Sequence, residues 1–178
     1  MSAPLALFVA GIATPAGAIE IVVDEQESVR ALYFADDVSQ IRPSIERYYG
    51  KEGSGYSLTP RPLPSHIRAA LEAYFAGDLT AIDALPVATK GTVFQRQVWA
   101  ALRTIPAGTT ISYGELSHRI GNPKAVRAVG LANGANPIAI VVPCHRVIGA
   151  NGSLTGYAGG IERKQWLLEH ESAEQRLF

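Results

Sequence analysis

The chain has 178 residues, with 16 Lys and Arg against 16 Asp and Glu. Its apolar fraction of 47% and charged fraction of 18% are typical of a folded globular protein and exclude a disordered one. The single cysteine excludes an internal disulfide and a thiolate zinc site, and it fits a reducing compartment. We therefore expect a cytoplasmic protein.

Charge is distributed unevenly along the chain. Residues 1–89 hold 6 Lys and Arg against 11 Asp and Glu, a net charge of −5, whereas residues 90–178 hold 10 against 5, a net charge of +5. A basic second half suggests that this half alone meets a polyanion, and ordinary variation of the surface is the alternative. No stretch is long and apolar enough to span a membrane, so we expect no membrane partner. Residues 1–18 lack the basic start of a signal peptide, because no Lys or Arg precedes Arg30.

The first half predicts a small α/β domain with an antiparallel sheet. Strands are predicted at residues 5–13 and 18–23, which flank a Thr-Pro-Ala-Gly turn, and at residues 29–34. Helices are predicted at residues 41–49 and 65–77, the second capped by Ser65, with a Gly-, Ser- and Pro-rich loop at residues 51–64. Residues 79–91 have few apolar anchors and are predicted to link this supporting domain (1–88) to a second domain (89–178).

The second half opens with helices marked by capping residues. Thr92 with Gln95, and Ser112 with Glu115, form the pattern of a capping box before an apolar run. The next helix is predicted to run from residue 123 to about residue 133, with Asn122 as its cap. Two short helices joined by a glycine-containing turn match a helix-turn-helix, and an αα-hairpin packed in a core is the alternative.

The second helix of this pair is poorly equipped to recognise a base sequence. It is rich in Ala and Gly, with Arg127 as its long cation after Lys124. A helix that reads the major groove needs several Arg, Asn or Gln side chains to reach base edges. Their scarcity favours binding in the minor groove or binding that is independent of sequence.

The one cysteine follows a predicted strand. Apolar residues 138–142 predict a short buried strand, and Pro143 would end it because proline donates no hydrogen bond to a sheet. A reactive thiol must be deprotonated, and its pKa can be lowered by a base or by a positive charge, which His145 and Arg146 offer. On these residues alone, Cys144 is either a nucleophile or a small buried apolar side chain.

Several segments of the second half together resemble the O6-alkylguanine–DNA alkyltransferases, most of all the bacterial Ogt-type proteins. They stand in the family's order and spacing: SYGE at 112–115, NPKAVRAVG at 122–130, NP at 136–137, PCHRV at 143–147, YAGG at 157–160 and WLLEHE at 166–171. The N-terminal half fits the family only weakly. The resemblance implies an α+β fold, in which a small N-terminal domain precedes a winged-helix-like alkyltransferase domain that contains the helix-turn-helix.

The resemblance also implies direct repair of alkylated DNA. Cys144 would take an alkyl group from O6 of guanine in duplex DNA, with O4-alkylthymine as a second candidate substrate. A thiolate suits such a displacement at a saturated carbon. By carry-over, His145 accepts the thiol proton through a water and Glu171 stabilises the resulting imidazolium. Asn136 would brace the turn that holds the cysteine, and Tyr113 would give a proton to the departing guanine.

A base inside a duplex is out of reach of a buried thiol, so it must be flipped out. In the family this is done from the minor groove, where Arg127 would fill the gap in the stack. The residues assigned to DNA binding by the resemblance are Arg127, Tyr113, Gly114 and Asn122. The base pocket would be lined by Val147, Tyr157 and Ala158, together with the carbonyl of Cys144. Ala158 replaces a serine found in other members, which bears on the tolerance for bulky alkyl groups and for O4-alkylthymine.

The product would be a thioether, which is a poor leaving group, and no second cysteine could accept the alkyl group. The reaction should therefore be stoichiometric and self-inactivating. The cysteines that hold zinc in some relatives are absent, and we predict no metal, no cofactor and a monomer. One alternative is a non-repair protein that binds alkylated DNA, but relatives of that kind replace the cysteine, and Cys144 is present here. The other alternative is a winged-helix regulator, which should read base edges, and the helix that carries Arg127 is poorly equipped for that. A cysteine hydrolase would need an oxyanion hole, which nothing in the sequence indicates.

Overall fold

The computed structural model describes residues 2–36 and 41–175, which form an α+β fold. The first sheet has four strands, β1 (Leu5–Ile12), β2 (Ile19–Asp24), β3 (Val29–Phe34) and β4 (Tyr56–Pro60). The described residues also form six α-helices: α1 (Ile41–Tyr49), α2 (Ser65–Phe75), α3 (Val93–Leu102), α4 (Tyr113–Arg119), α5 (Val126–Gly134) and α6 (Ile161–Gln175). Two short strands, β5 (Ile111–Ser112) and β6 (Val147–Ile148), pair in parallel, and a 3₁₀ turn at Cys144–Arg146 precedes β6.

The four-stranded sheet is mixed, so the prediction of an antiparallel sheet was wrong in one strand. Its order is β3-β2-β1-β4, and β4 runs parallel to β1 within residues that were predicted to be a loop. The strand pattern of β4 is weak because Tyr56 is its one fully buried residue and Leu58 is half-buried, while Ser57, Thr59 and Pro60 face solvent. Proline is tolerated at such an edge, and Pro60 ends the strand opposite Val9. The predicted hairpin and third strand are confirmed.

One apolar core joins the two halves of the chain. Sheet residues such as Ile21 and Leu32 belong to the same buried cluster as Val98 of α3 and Leu167 of α6. The segment from 79 to 91 is part of this packing, since Leu79, Ile82 and Leu85 are each at most 8% exposed. The expectation that this segment has few apolar anchors was therefore wrong, and a domain boundary at 88/89 stays a prediction.

The helices of the second half begin where local capping places them, with two departures. Thr92 and Gln95 form the predicted capping box, whereas Ser112 accepts a hydrogen bond from the Glu115 amide while the Glu115 carboxylate pairs with Arg119 instead. Helix α5 begins at Val126, after Ala125, because the amide of Ala125 closes a turn by donating to the carbonyl of Asn122. Asn122 is therefore not its cap.

Two smaller findings complete the fold. Ser65 is the first residue of α2, and Pro64 stands at the capping position without a side-chain bond, so the predicted serine cap was wrong. None of the helices in the described ranges has the length and apolar character needed to cross a membrane. The helix pair α4 and α5 is present, and the winged-helix arrangement around it stays a prediction.

Candidate active site

The chain reaches Cys144 through a tight turn, and the strand predicted at residues 138–142 does not form. After a single bridge between Ile138 and Leu32 of β3, the Val142 amide donates back to the carbonyl of Ile138 at 3.0 Å. Ile140 lies in this turn at φ 69°, a left-handed conformation that costs a β-branched residue about 1–3 kcal/mol. All the side chains are buried or half-buried, so the apolar run predicted burial correctly and the backbone incorrectly.

The Asn136 amide holds this turn in place of a neighbouring strand. Its Nδ2 donates to the carbonyl of Val142 at 2.8 Å and to that of Ile138 at 3.3 Å, while its Oδ1 accepts from the Ile138 amide at 3.0 Å. These bonds satisfy backbone groups that are buried away from water. Asn136 thus fixes the backbone two residues before Cys144.

The Cys144 thiol is nearly buried, with 8% of the residue exposed. Burial raises its pKa, and this effect outweighs the lowering by a hydrogen bond from Asn136 and by the charge of Lys164. Arg146, one possible source of a positive charge near the thiol, instead donates through its guanidinium to Glu171 and to the carbonyl of Ile105. The resting cysteine is therefore a neutral thiol, and its proton leaves during the reaction.

Glu171 is the centre of a buried polar cluster. Its Oε1 lies 2.7 Å from His145 Nε2 and 2.8 Å from Arg146 Nη2, and its Oε2 accepts from Arg146 Nε at 3.0 Å. The hydroxyl of Tyr74, from α2, donates to Oε1 at 2.8 Å. His145 and Glu171 are both fully buried. Tyr74 therefore brings the first half of the chain into contact with this cluster.

The charges of this cluster follow from its contacts. The pKa of Glu171 is held far below its usual range by His145 and Arg146, which overcome the effect of burial. Burial lowers the pKa of His145 despite the neighbouring carboxylate, so the ring is neutral at rest. A carboxylate only accepts hydrogen bonds, so Nε2 carries the imidazole proton. The basic atom is then Nδ1, which is buried and has no protein partner within the described part of the chain.

Two cavities meet beside this cluster. The larger, of about 600 Å³, reaches from Cys144 to β3 and α1 of the first half. The smaller, of about 290 Å³, lies between α5, Tyr113 and residues 155–158. Asn133, Gly134 and Tyr157 are among the residues that line both cavities. A group that enters past Tyr113 therefore faces the space in which the thiol lies.

The loop over the cavities is tied to α6 and to β3. Lys164 is fully buried, and its Nζ donates to the carbonyl of Thr155 at 2.9 Å. Thr155 also contacts the hydroxyl of Tyr113, at 3.3 Å from its Oγ1. A Cβ on Gly159 would lie 2.6 Å from the ring of Phe34, so only glycine permits this close approach.

The sequence-predicted residues fall into three groups. His145 and Glu171 lie in the buried polar cluster, and Cys144 and Asn136 belong to the turn before it. Val147 follows in strand β6, where it is fully buried and lines neither cavity. Tyr113, Tyr157 and Ala158 line the smaller cavity. Arg127 is exposed on α5, Asn122 is exposed in the turn before it, and Gly114 lies half-buried at the start of α4.

Sequence analysis missed three residues of the site, Tyr74, Asn133 and Lys164, and it also missed the contact of Arg146 with Glu171. Lys164 could have been found, because it lies seven residues before Glu171 and therefore on the same face of α6. Tyr74 had no such signal, since its partner is 97 residues away. Across the described ranges, no group of three or more His, Cys, Asp or Glu side chains is arranged to hold a metal ion.

Comparisons with known proteins identify the family of this chain. The family model "6-O-methylguanine DNA methyltransferase, DNA binding domain" matches residues 93–173. A methylated-DNA–protein-cysteine methyltransferase of Shigella flexneri is 51% identical over 160 residues, which cover 90% of this chain and 92% of that protein. One from Mycolicibacterium paratuberculosis is 49% identical over 160 residues, covering 88% and 96%.

A solved structure extends the similarity to nearly the whole fold. The crystal structure of Mycobacterium tuberculosis OGT in complex with DNA superposes with a TM-score of 0.78 at 43% identity, covering 96% of this chain and 94% of that one. The family predicted from the sequence is thereby confirmed. The chain belongs to the methylated-DNA–protein-cysteine methyltransferase family.

Proposed function

We propose that this protein repairs alkylated duplex DNA by moving an alkyl group from O6 of guanine to Sγ of Cys144. The observation that carries the proposal is the thiol of Cys144 in the wall of a cavity, next in sequence to a His145–Glu171 pair that is fully buried. The relatives named methylated-DNA–protein-cysteine methyltransferases support the same acceptor and the same class of substrate.

The reaction balances with the groups present. A bond forms between Sγ and the alkyl carbon while the bond from that carbon to O6 breaks. The thiol proton passes through a water to Nδ1 of His145, and Glu171 stabilises the imidazolium that forms. The departing guanine takes a proton from the hydroxyl of Tyr113. Tyr113 then regains a proton from solvent, and His145 releases to solvent the proton that it took from the thiol, so that both side chains return to their resting forms. Support for the relay is the tautomer set by Glu171, which leaves Nδ1 as the basic atom of the ring.

Two further side chains prepare the thiol. Asn136 holds the turn before it and donates toward the sulfur, which favours the thiolate. The charge of Lys164 acts in the same direction. A thiolate that forms only during the transfer is shielded from other electrophiles, because the resting thiol is neutral and nearly buried.

Helix α5 is proposed to enter the minor groove and to hold the base outside the stack. Arg127 is exposed, and no described residue forms an ion pair with it. One turn along the helix, Leu131 is 73% exposed, the highest exposure among the large apolar side chains of the described residues. A cation with an apolar neighbour matches the way in which minor-groove proteins insert side chains between base pairs. Tyr113, Gly114 and Asn122 would complete the contact with DNA.

The flipped base would occupy the smaller cavity, beside Tyr157 and Ala158, and its alkyl group would point toward the larger one. The resemblance assigns the backbone carbonyl of Val147 to the same pocket. The larger cavity offers far more room than a methyl group needs, which supports transfer of bulkier groups and leaves O4-alkylthymine as a second substrate. We further propose a monomer that acts once per chain in the cytoplasm, where a free thiol stays reduced. Neither a metal nor a cofactor has a step in this reaction.

Intact-protein mass after mixing with a duplex that contains one O6-methylguanine tests the proposal. We expect one added methylene per wild-type chain, none on Cys144→Ala and none with undamaged duplex. Damaged DNA that is bound without any mass gain would support the non-repair lesion binder instead. No mass gain and no preference for the lesion would leave the winged-helix regulator.

A further inference from the structure

Asn133 occupies the place where the two cavities meet. It lies in the last turn of α5, is only 4% exposed, and lines both the cavity of Cys144 and the smaller cavity beside Tyr113. A polar side chain so deeply buried requires partners for its amide.

The orientation of this amide is set by the carbonyl of Cys144. Asn133 Nδ2 lies 3.5 Å from that carbonyl oxygen, and only the nitrogen of the amide can donate to it. The other atom, Oδ1, is buried and has no hydrogen-bond partner among the residues described. An acceptor left in this state is costly, so a ligand that donates a hydrogen bond to it binds more tightly.

The carbonyl of Cys144 is already engaged on two sides. It accepts from the amide of Val147, at the end of the 3₁₀ turn, and from Asn133 Nδ2. A carbonyl oxygen has two lone pairs, and the amide of Val147 takes one of them, while Asn133 Nδ2 lies 3.5 Å from the same oxygen, at the outer limit of hydrogen-bonding distance. The resemblance assigned this carbonyl to the base pocket, and the structure offers the neighbouring Oδ1 of Asn133 as the acceptor with free capacity.

The chemistry of the lesion identifies the donor. Alkylation at O6 removes the N1 proton of guanine, so the exocyclic 2-amino group carries the only N–H bonds that the base retains. O4-alkylthymine retains no N–H bond. We propose that Asn133 Oδ1 accepts a hydrogen bond from the 2-amino group of the flipped base, and that Asn133 thereby favours guanine lesions over thymine lesions. This inference rests on the proposed function.

The test combines a change in the protein with a change in the base. Transfer rates are measured by intact-protein mass on three duplexes that differ in one base: O6-methylguanine, O6-methylhypoxanthine, which lacks the 2-amino group, and O4-methylthymine. Wild type is compared with Asn133→Leu, which removes the amide, and with Asn133→Asp, which keeps an acceptor oxygen. Wild type should prefer O6-methylguanine over both other bases.

In Asn133→Leu, the ratio of the guanine rate to the hypoxanthine rate should fall about 2- to 13-fold, the value of one hydrogen bond, and the ratio to thymine should fall with it. Asn133→Asp places a negative charge near the thiol and slows every substrate, yet it should keep the ratios of wild type. If the leucine variant does not fold, the rate ratios of Asn133→Asp still test whether an acceptor oxygen at this position selects for the 2-amino group. Equal slowing of guanine and hypoxanthine by the leucine change, or loss of the ratio in the aspartate variant, would overturn the proposal. Absence of transfer from any base in wild type would instead reject the proposed function.

Discussion

Removing the hydroxyl of Tyr74 tests whether the first half of the chain takes part in the active site. Tyr74→Phe deletes the group that donates to Glu171 Oε1 at 2.8 Å and leaves the ring in its packing against Phe75 and His170. A hydrogen bond to a charged group is worth about 1.5–3 kcal/mol, and we expect the lower end because His145 and Arg146 still contact the carboxylate. For a chain of this length, about 1.5 kcal/mol lowers Tm by roughly 3–6 °C.

The same change should alter the pH dependence of alkyl transfer. Without the tyrosine donor, the carboxylate of Glu171 becomes more basic and stabilises the protonated form of His145 more strongly. The pKa of His145 then rises, and the acid limb of the rate profile moves to higher pH because the neutral ring is the base. Transfer rates on a duplex with O6-methylguanine, measured between pH 5 and 8, would show the shift.

Tyr56 offers a matched control for this experiment. It is as fully buried as Tyr74, but its hydroxyl has no hydrogen-bond partner in the described structure. Tyr56→Phe should therefore leave Tm unchanged or raise it, and it should leave the pH profile in place. The reasoning would be refuted if the two variants had the same Tm, or if Tyr74→Phe kept the acid limb of wild type.

Three further predictions concern the cysteine turn and its neighbours. Asn136→Ala removes three hydrogen bonds from the turn before Cys144 and should lower the free energy of unfolding by about 2–4 kcal/mol. Urea unfolding would show this loss as a lower midpoint. An unchanged midpoint would show that the Asn136 amide does not hold the turn. Alkylation of Cys144 by iodoacetamide without DNA should have a pH midpoint above that of a free thiol at about 8.5, because burial raises its pKa; a midpoint near 7 would contradict the neutral resting thiol. The depressed pKa of Glu171 contributes stability that is fully present above the unfolded-state pKa of about 4.3 and is lost as the pH falls below it. The difference in unfolding free energy between wild type and Glu171→Gln should therefore narrow below about pH 4.3. A difference that stays constant with pH would exclude this linkage.

Local patterns predicted the helices and most of the first sheet. The capping box at Thr92 and the hairpin of β1 and β2 depend on residues that are close in sequence, and both formed as expected. The Cys144 turn shows the opposite case. An apolar run predicts burial whether the backbone is extended or folded back. Here the hydrogen bonds of Asn136 stabilise a turn in place of an extended strand.

The site itself was predictable only as far as the family motifs reach. They supplied Cys144, His145 and Glu171, of which the structure pairs His145 with Glu171 and places Cys144 in the wall of the larger cavity. They did not supply Tyr74 or Asn133, whose importance depends on contacts made only in the folded chain. The net charge of the second half did not predict the pKa of the thiol either, because burial and then the two neighbours Asn136 and Lys164 set it.

The central claim is that Cys144 is the final acceptor of the alkyl group. The most direct measurement mixes the protein with an excess of duplex whose O6-methylguanine carries an isotopically labelled methyl group, followed by peptide mapping and a count of repaired lesions. The account predicts label on Cys144 alone, and a number of repaired lesions equal to the number of protein chains at every excess of DNA. Label on another residue, or more repaired lesions than chains, would contradict it.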